Sequence, residues 1–203
     1  EAYNDYDDSK WRAADNTKTN DNFVEQLTPT ALYGSEYGFH SGYLIFRGHF
    51  KSSRKEEELA ITTSGGYAFG SSVWLNSTYL GSWEGETDTF KKDSTYKLPF
   101  SLDEGKPYAI TVVIDNNGRD MNFAVGVDSM KAPRGILDYN FGGTEIDWKI
   151  TGNLGGEDYE DRVRGPTNEG GSYPERQGWH QPGPPSDEWK SVSPAEGVSK
   201  PGV

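Results

Sequence analysis

The sequence contains no cysteine, which excludes disulfides, thiolate catalysis and any Cys-based metal site. It holds only three histidines, His40, His49 and His180. His40 and His49 stand an odd number of residues apart and would face opposite ways on one strand, so a His-based zinc site is not expected. No apolar run approaches the roughly 18 residues that a membrane-spanning helix needs. Basic residues are scarce beside acidic ones: 20 Lys and Arg against 32 Asp and Glu leave a net charge of -12 and an isoelectric point of about 4.7. That balance repels nucleic acid and anionic membrane. Neither a Gly-x-Ser-x-Gly elbow nor a phosphate-binding loop occurs. The chain opens at Glu1 with no Met and no signal-like segment, as expected of a processed or excised product.

Aliphatic residues are also few. Leu, Ile, Val and Phe make up 18% of the 203 residues, below the ~20% at which a highly charged chain tends toward disorder. Aromatic residues compensate at 13%, with six Trp and twelve Tyr, so an aromatic core is expected. The shortage is uneven. Residues 151–203 contain five of those aliphatic and Phe residues but seven Pro and ten Gly, a composition that buries too little apolar surface to offset its ordering entropy.

Strand signals dominate the rest. Tyr43–Phe50 is rich in β-formers. Glu58–Thr63 alternates with Leu59 and Ile61 on one face, and Ser72–Leu75 pairs Val73 with Leu75. Tyr108–Ile114 aligns Ile110, Val112 and Ile114, and Asn122–Val127 aligns Phe123, Val125 and Val127. Glu145–Ile150 places Ile146, Trp148 and Ile150 inward, with Glu145, Asp147 and Lys149 outward. Ser64-Gly65-Gly66, Asp103-Glu-Gly105, Asn116-Asn-Gly118 and Gly142-Gly143 punctuate them as turns. No amphipathic helix stands out. The pattern predicts an all-β fold, a jelly roll or galactose-binding-domain-like β-sandwich, with a loop-rich C-terminal extension. A (β/α)8 barrel is excluded by the missing helices and by a length under the roughly 250 residues typical of that fold.

Several residues could carry chemistry. Asn168-Glu169 invites comparison with the acid/base pair of retaining glycosidases, but it sits in a Gly-rich loop with no strand before it and no evident second carboxylate; a turn residue beside Arg164 is the simpler reading. Asp5, Asp7 and Asp8 are hard oxygen ligands suited to a structural Ca2+, or Asp8 and Ser9 cap a turn that points Trp11 inward. Trp83 with Glu84, and Trp179 with His180, lie between turn residues, where an indole could stack on a sugar ring beside a hydroxyl-bonding group; core packing is the alternative. Trp11, Trp74 and Trp148 lie in strand-like contexts and read as core. Asn76-Ser-Thr78 is the single Asn-x-Ser/Thr sequon, a glycosylation acceptor if the chain is secreted from a eukaryote and otherwise a hairpin Asn.

Longer blocks carry a resemblance. Tyr6-Asp-Asp-Ser-Lys-Trp11, Tyr37-Gly-Phe-His40, Phe46-Arg-Gly-His-Phe50, Ala68-Phe-Gly70, Val73-Trp-Leu-Asn76, Leu80-Gly-Ser-Trp83, Ile110-Thr-Val-Val-Ile-Asp-Asn116 and Ala132-Pro-Arg-Gly-Ile136 follow in order. Trp148-Lys-Ile-Thr-Gly-Asn-Leu-Gly-Gly-Glu157, Arg164-Gly-Pro-Thr-Asn-Glu-Gly-Gly171 and Glu175-Arg-Gln-Gly-Trp-His-Gln-Pro-Gly183 extend the series. Over essentially its whole length the chain resembles the C-terminal jelly-roll region of fungal family-35 glycoside hydrolases, the secreted β-galactosidases. The resemblance implies a complete jelly roll over 1–135 and, over 136–203, the opening of a second. It implies an extracellular parent that hydrolyses terminal non-reducing β-D-galactosyl residues. The family's catalytic carboxylates lie on a separate barrel, so none carries over to a position here. This chain is then expected to be inactive alone, a cofactor-free accessory module whose partners are the barrel and the remaining β-domains. The rival expectation is an independent lectin-like module for galactosides or galactan.

Overall fold

The computed structural model describes residues 5–118, 132–152 and 182–183. Contacts divide the chain into two units, Glu1–Gly152 and Asn153–Val203, and the described strands all belong to the first. They are β1 (Arg12–Ala13), β2 (Leu32–Tyr33), β3 (Gly42–Lys51), β4 (Glu58–Ser64), β5 (Ser71–Leu75), β6 (Thr78–Trp83), β7 (Lys91–Lys97), β8 (Pro107–Asn116), β9 (Gly135–Asn140) and β10 (Asp147–Gly152), with a short 3-10 turn at Gly34–Tyr37. The expected strand at Asn122–Val127 lies outside the described residues.

The ten strands form two antiparallel sheets. One has six strands in the order β1-β10-β3-β8-β5-β6; the other has four, β2-β9-β4-β7. The result is the all-β sandwich that the alternating pattern predicts. Period-two alternation sends one face of each strand inward, and the register stacks those faces. Leu44 pairs with Ile114 and Phe46 with Val112 across β3 and β8, while Phe46 also pairs with Ile150 of β10. Leu59 and Ile61 of β4, Ile136 of β9 and Phe141 close the core from the four-stranded side. Rings bind it together: Phe46 and Tyr139 both meet Trp148 edge-on, at centroid distances of 6.5 and 5.5 Å.

Strand β9 begins at Gly135, where the sequence places the end of the first jelly roll, β10 comes after it, and both are built into the sandwich. β9 lies between β2 and β4, and β10 lies between β1 and β3. Ile146, Trp148 and Ile150 are buried there, as their spacing predicts. Strand β10 can approach β3 this closely because position 48 is glycine. A methyl group at Gly48 would stand 2.5 Å from Ile146 Cγ2 and 2.9 Å from the Trp148 ring.

Two strands lack a clean aliphatic alternation. Between Thr62 and Thr63 the pairing of β4 with β9 slips by one residue, a bulge that leaves Leu137 opposite no partner. Strand β7, Lys-Lys-Asp-Ser-Thr-Tyr-Lys, carries no aliphatic residue and forms an outer edge of the four-stranded sheet. Its lysines suit an edge that must not pair with another chain.

Candidate functional site

Among the described residues, a cluster of charge centres on Asp8. The N-terminal segment crosses the outward face of the six-stranded sheet, where Arg47 of β3 and Lys149 of β10 are direct cross-strand partners. Asp8 Oδ2 lies 2.7 Å from Arg47 Nε and 2.5 Å from His49 Nε2. Its Oδ1 accepts from Lys149 Nζ at 2.7 Å. Arg47 has no exposed surface, and its guanidinium lies 5.6 Å from the centre of the Tyr6 ring. Burial alone would raise the Asp8 pKa; hydrogen bonds from Lys149 and His49 outweigh it and hold the carboxyl below its ordinary value.

Of the calcium candidates Asp5, Asp7 and Asp8, Asp8 is the buried one, and it faces two cations and an imidazole. Asp7 instead accepts the Ser9 N–H at 3.0 Å. Among the described residues, no three His, Asp or Glu side chains are arranged to hold a metal ion. The turn that follows closes through a Trp11 N–H to Asp8 O bond of 3.0 Å. Trp11 is half-buried and meets Tyr6 at 5.8 Å, on the sheet's outer surface and not in the core.

A second buried carboxylate ties two loops. Glu56, 4% exposed, follows β3. Its Oε2 accepts from Ser52 Oγ at 2.8 Å, and its Oε1 accepts from the Ser53 N–H and Oγ, each at 2.9 Å. Thr144, in the β9–β10 connection, donates its hydroxyl to the same Oε1. Burial pushes the Glu56 pKa up, but the bonds from Thr144, Ser53 and Ser52 dominate and bring it to about 2.

Of the sugar-stacking candidates, Trp83 and Glu84 fall within the described residues; Trp179, His180 and the Asn168-Glu169 pair lie outside them. Trp83 ends β6, half-buried against the core. Its indole nitrogen is buried and meets no hydrogen-bond partner among the described residues. Lys92 Nζ lies 4.0 Å from the centre of its ring, so a sugar stacked there would use the opposite face. Glu84 is exposed beside it. Trp74, read from sequence as core, is half-buried on the outward side of β5, while Trp148 is buried as expected.

The outer side of the four-stranded sheet carries a cleft of about 630 Å³ whose lining includes Phe23, Leu27, Phe90 and Leu137. Phe23 is 44% and Leu27 59% exposed, beside the outward Leu137 that the bulge displaces.

Residues 6–120 match the family model described as the β-galactosidase second all-beta domain. The chain belongs to this family. Probable beta-galactosidase A of Aspergillus flavus and beta-galactosidase A of Aspergillus oryzae are each 61% identical over 201 residues, 98% of this chain and 20% of theirs. Beta-galactosidase A of Aspergillus niger is 58% identical over 206 residues, all of this chain and 20% of its own. The chain thus spans about a fifth of the length of these curated relatives.

In this β-galactosidase domain the residues that sequence reasoning passed over are Arg47, Lys149, Glu56 and Lys92. Arg47 and Lys149 meet Asp8 from far along the chain, and Glu56 meets Thr144 from 88 residues away, whereas its serines and the Trp83 beneath Lys92 are near in sequence. The one available signal was Arg47-Gly-His49, which puts two basic groups on the same strand face and asks for an acid above them.

Proposed function

We propose that this chain is a non-catalytic accessory β-sandwich of a longer, secreted β-galactosidase, the parent hydrolysing terminal non-reducing β-D-galactosyl residues. Its role is to support the catalytic barrel. The observation that carries the reading is the state of the two buried carboxylates among the described residues. A glycosidase acid needs a raised pKa, and its partner must stand free about 5–5.5 Å away in a retaining enzyme. Asp8 and Glu56 are instead saturated with donors and held low. Both work as fasteners.

The cleft of Phe23, Leu27 and Leu137 supports a docking role. Its proposed occupant is the remainder of the same polypeptide, since the relatives are about five times the matched length. Apolar surface of this kind is commonly buried against a neighbour. The segment after Gly152 is proposed to open a second jelly roll.

The test compares this chain with the longer protein on a chromogenic β-galactoside. Turnover by the longer protein alone is expected. Turnover by this chain that survives repurification and disappears with Glu169→Gln would overturn the accessory role. Titration with galactose and lactose separates the lectin-like alternative: saturable heat with a tryptophan emission change, lost in Trp83→Ala, would favour binding over support.

A further inference from the structure

The loop from Asp15 to Thr30, between β1 and β2, spends polar side chains on its own fastening. Gln26 Oε1 accepts the Thr19 N–H at 2.8 Å, and its Nε2 donates to Thr28 O at 3.0 Å. Glu36, in the 3-10 turn after β2, accepts from Thr19 Oγ1 at 2.6 Å and from the Asn20 N–H at 2.7 Å. The same loop turns Leu27 outward, 59% exposed, into the lining of the cleft on the four-stranded sheet. Phe90 and Leu137 line that cleft too, so Leu27 belongs to a grouped apolar surface and is not a lone exposed residue.

The polar part of the lining is acidic. Asp93 of β7 and Asp138 of β9 are both cross-strand partners of Thr62 on β4, which sets their Cα atoms roughly 10 Å apart at the usual strand spacing. The bulge adds Leu137 to β9 and leaves Leu137 and Asp138 together in the lining. Each carboxylate is anchored through one oxygen. Asp93 Oδ1 accepts from Thr62 Oγ1 at 2.7 Å, and Asp138 Oδ1 accepts the Tyr139 N–H at 2.8 Å. Among the described residues, no Lys or Arg pairs with either carboxylate. Glu25 adds a third negative charge to the lining, against the single positive charge of Lys91.

We propose that the cleft is a socket for another stretch of the parent polypeptide, one that seats an apolar side chain against Leu27 and Leu137 and lays an arginine between Asp93 and Asp138. This rests on the accessory role proposed above. The chain spans 20% of its relatives' length, so most of such a polypeptide is there to supply the occupant. The charge of the rim selects among occupants. A second copy of this chain would bring a net charge of -12 to an acidic rim, and an anionic lipid surface would meet the same repulsion. Arginine suits the two carboxylates better than lysine, because a planar guanidinium presents donors along more than one edge.

The test compares side-chain labelling of this chain and of the longer β-galactosidase, both unmutated. Carbodiimide coupling reads Asp93 and Asp138, and hydroxyl-radical oxidation reads Leu27. All three should react in this chain and lose that reactivity in the longer protein. Equal labelling in the two would overturn the socket and leave the accessory role standing; that role falls instead if this chain turns over a galactoside alone. Protection that grows with the concentration of this chain by itself would seat a second copy in the cleft and overturn the proposal. Asp93→Asn combined with Asp138→Asn in the longer protein separates the arginine from the apolar contact. Leu27 labelling should then rise toward its level in this chain, and unchanged protection would overturn the arginine. Leu27→Glu should lower the melting temperature of the longer protein and leave that of this chain unchanged. An equal loss in both would mean that Leu27 serves the sandwich itself, against the proposal.

Discussion

Asp8 Oδ2 lies 2.7 Å from Nε of Arg47, a guanidinium with no exposed surface on the outer face of the sandwich. Outward-facing strand positions are ordinarily polar and wet. Here the N-terminal segment covers one and neutralises it. Removing Asp8 would take an opposing charge away from that buried guanidinium. Breaking a buried pair from one side costs about 3–5 kcal/mol. Asp8→Ala is expected to lose stability on that scale in urea unfolding. Asp8→Ala combined with Arg47→Met should recover much of the loss, because the buried guanidinium is then removed together with its carboxylate. A double mutant no more stable than Asp8→Ala would show that the pair does not act as a unit.

Glu56 makes acid sensitivity specific. Its pKa falls from 4.5 to about 2 on folding. A depressed folded value gives stability that is full above pH 4.5 and lost as pH falls through the folded value near 2. The shift corresponds to about 3 kcal/mol at neutral pH. Asp8, also lowered, adds acid lability of the same sign. Urea midpoints measured for wild type and Glu56→Gln should differ by a constant amount above pH 5. That gap should narrow steadily toward pH 2. A gap independent of pH would mean that the carboxylate's charge is not what the serines and Thr144 hold.

Much of the sandwich was legible because burial follows local alternation. Ile146-Asp-Trp148-Lys-Ile150 states its own inward face, and so do Leu59 with Ile61 and Ile110 through Ile114. Strand β7 was not legible, since an edge strand with little to bury needs no aliphatic alternation. The bulge that turns Leu137 outward depends on β4–β9 register, which no local pattern encodes. The partners of Asp8 come from β3 and β10, over a hundred residues apart. The acidic N-terminal cluster therefore read from sequence as a calcium candidate, while the fold turned its one buried member toward cations.

Gly48 marks where tight packing replaces a side chain. Ala at this position would place its methyl 2.5 Å from Ile146 Cγ2, against a branched carbon held in the core. Overpacking of this kind costs about 1–3 kcal/mol. Gly48→Ala should melt several degrees below wild type and shift the emission of Trp148. Adding Ile146→Ala, which removes the clashing carbon, should restore less than the full difference, because it opens space elsewhere. A Gly48→Ala protein as stable as wild type would show that β10 can withdraw from β3 at no cost.

Strand β10 also decides how short the chain can be. It lies between β1 and β3 and contributes Trp148 and Ile150 to the core. Its backbone pairs with β3 from Leu44 to His49. A chain ending at 152 keeps every described strand, and it should melt cooperatively by circular dichroism. A chain ending at 140 keeps β9 but exposes Phe46 and the unpaired edge of β3, a surface prone to association. It should show no cooperative transition, or aggregate. If both chains melt alike, β10 is an addition to a sandwich that closes without it. If neither melts, residues beyond Gly152 are needed for the fold.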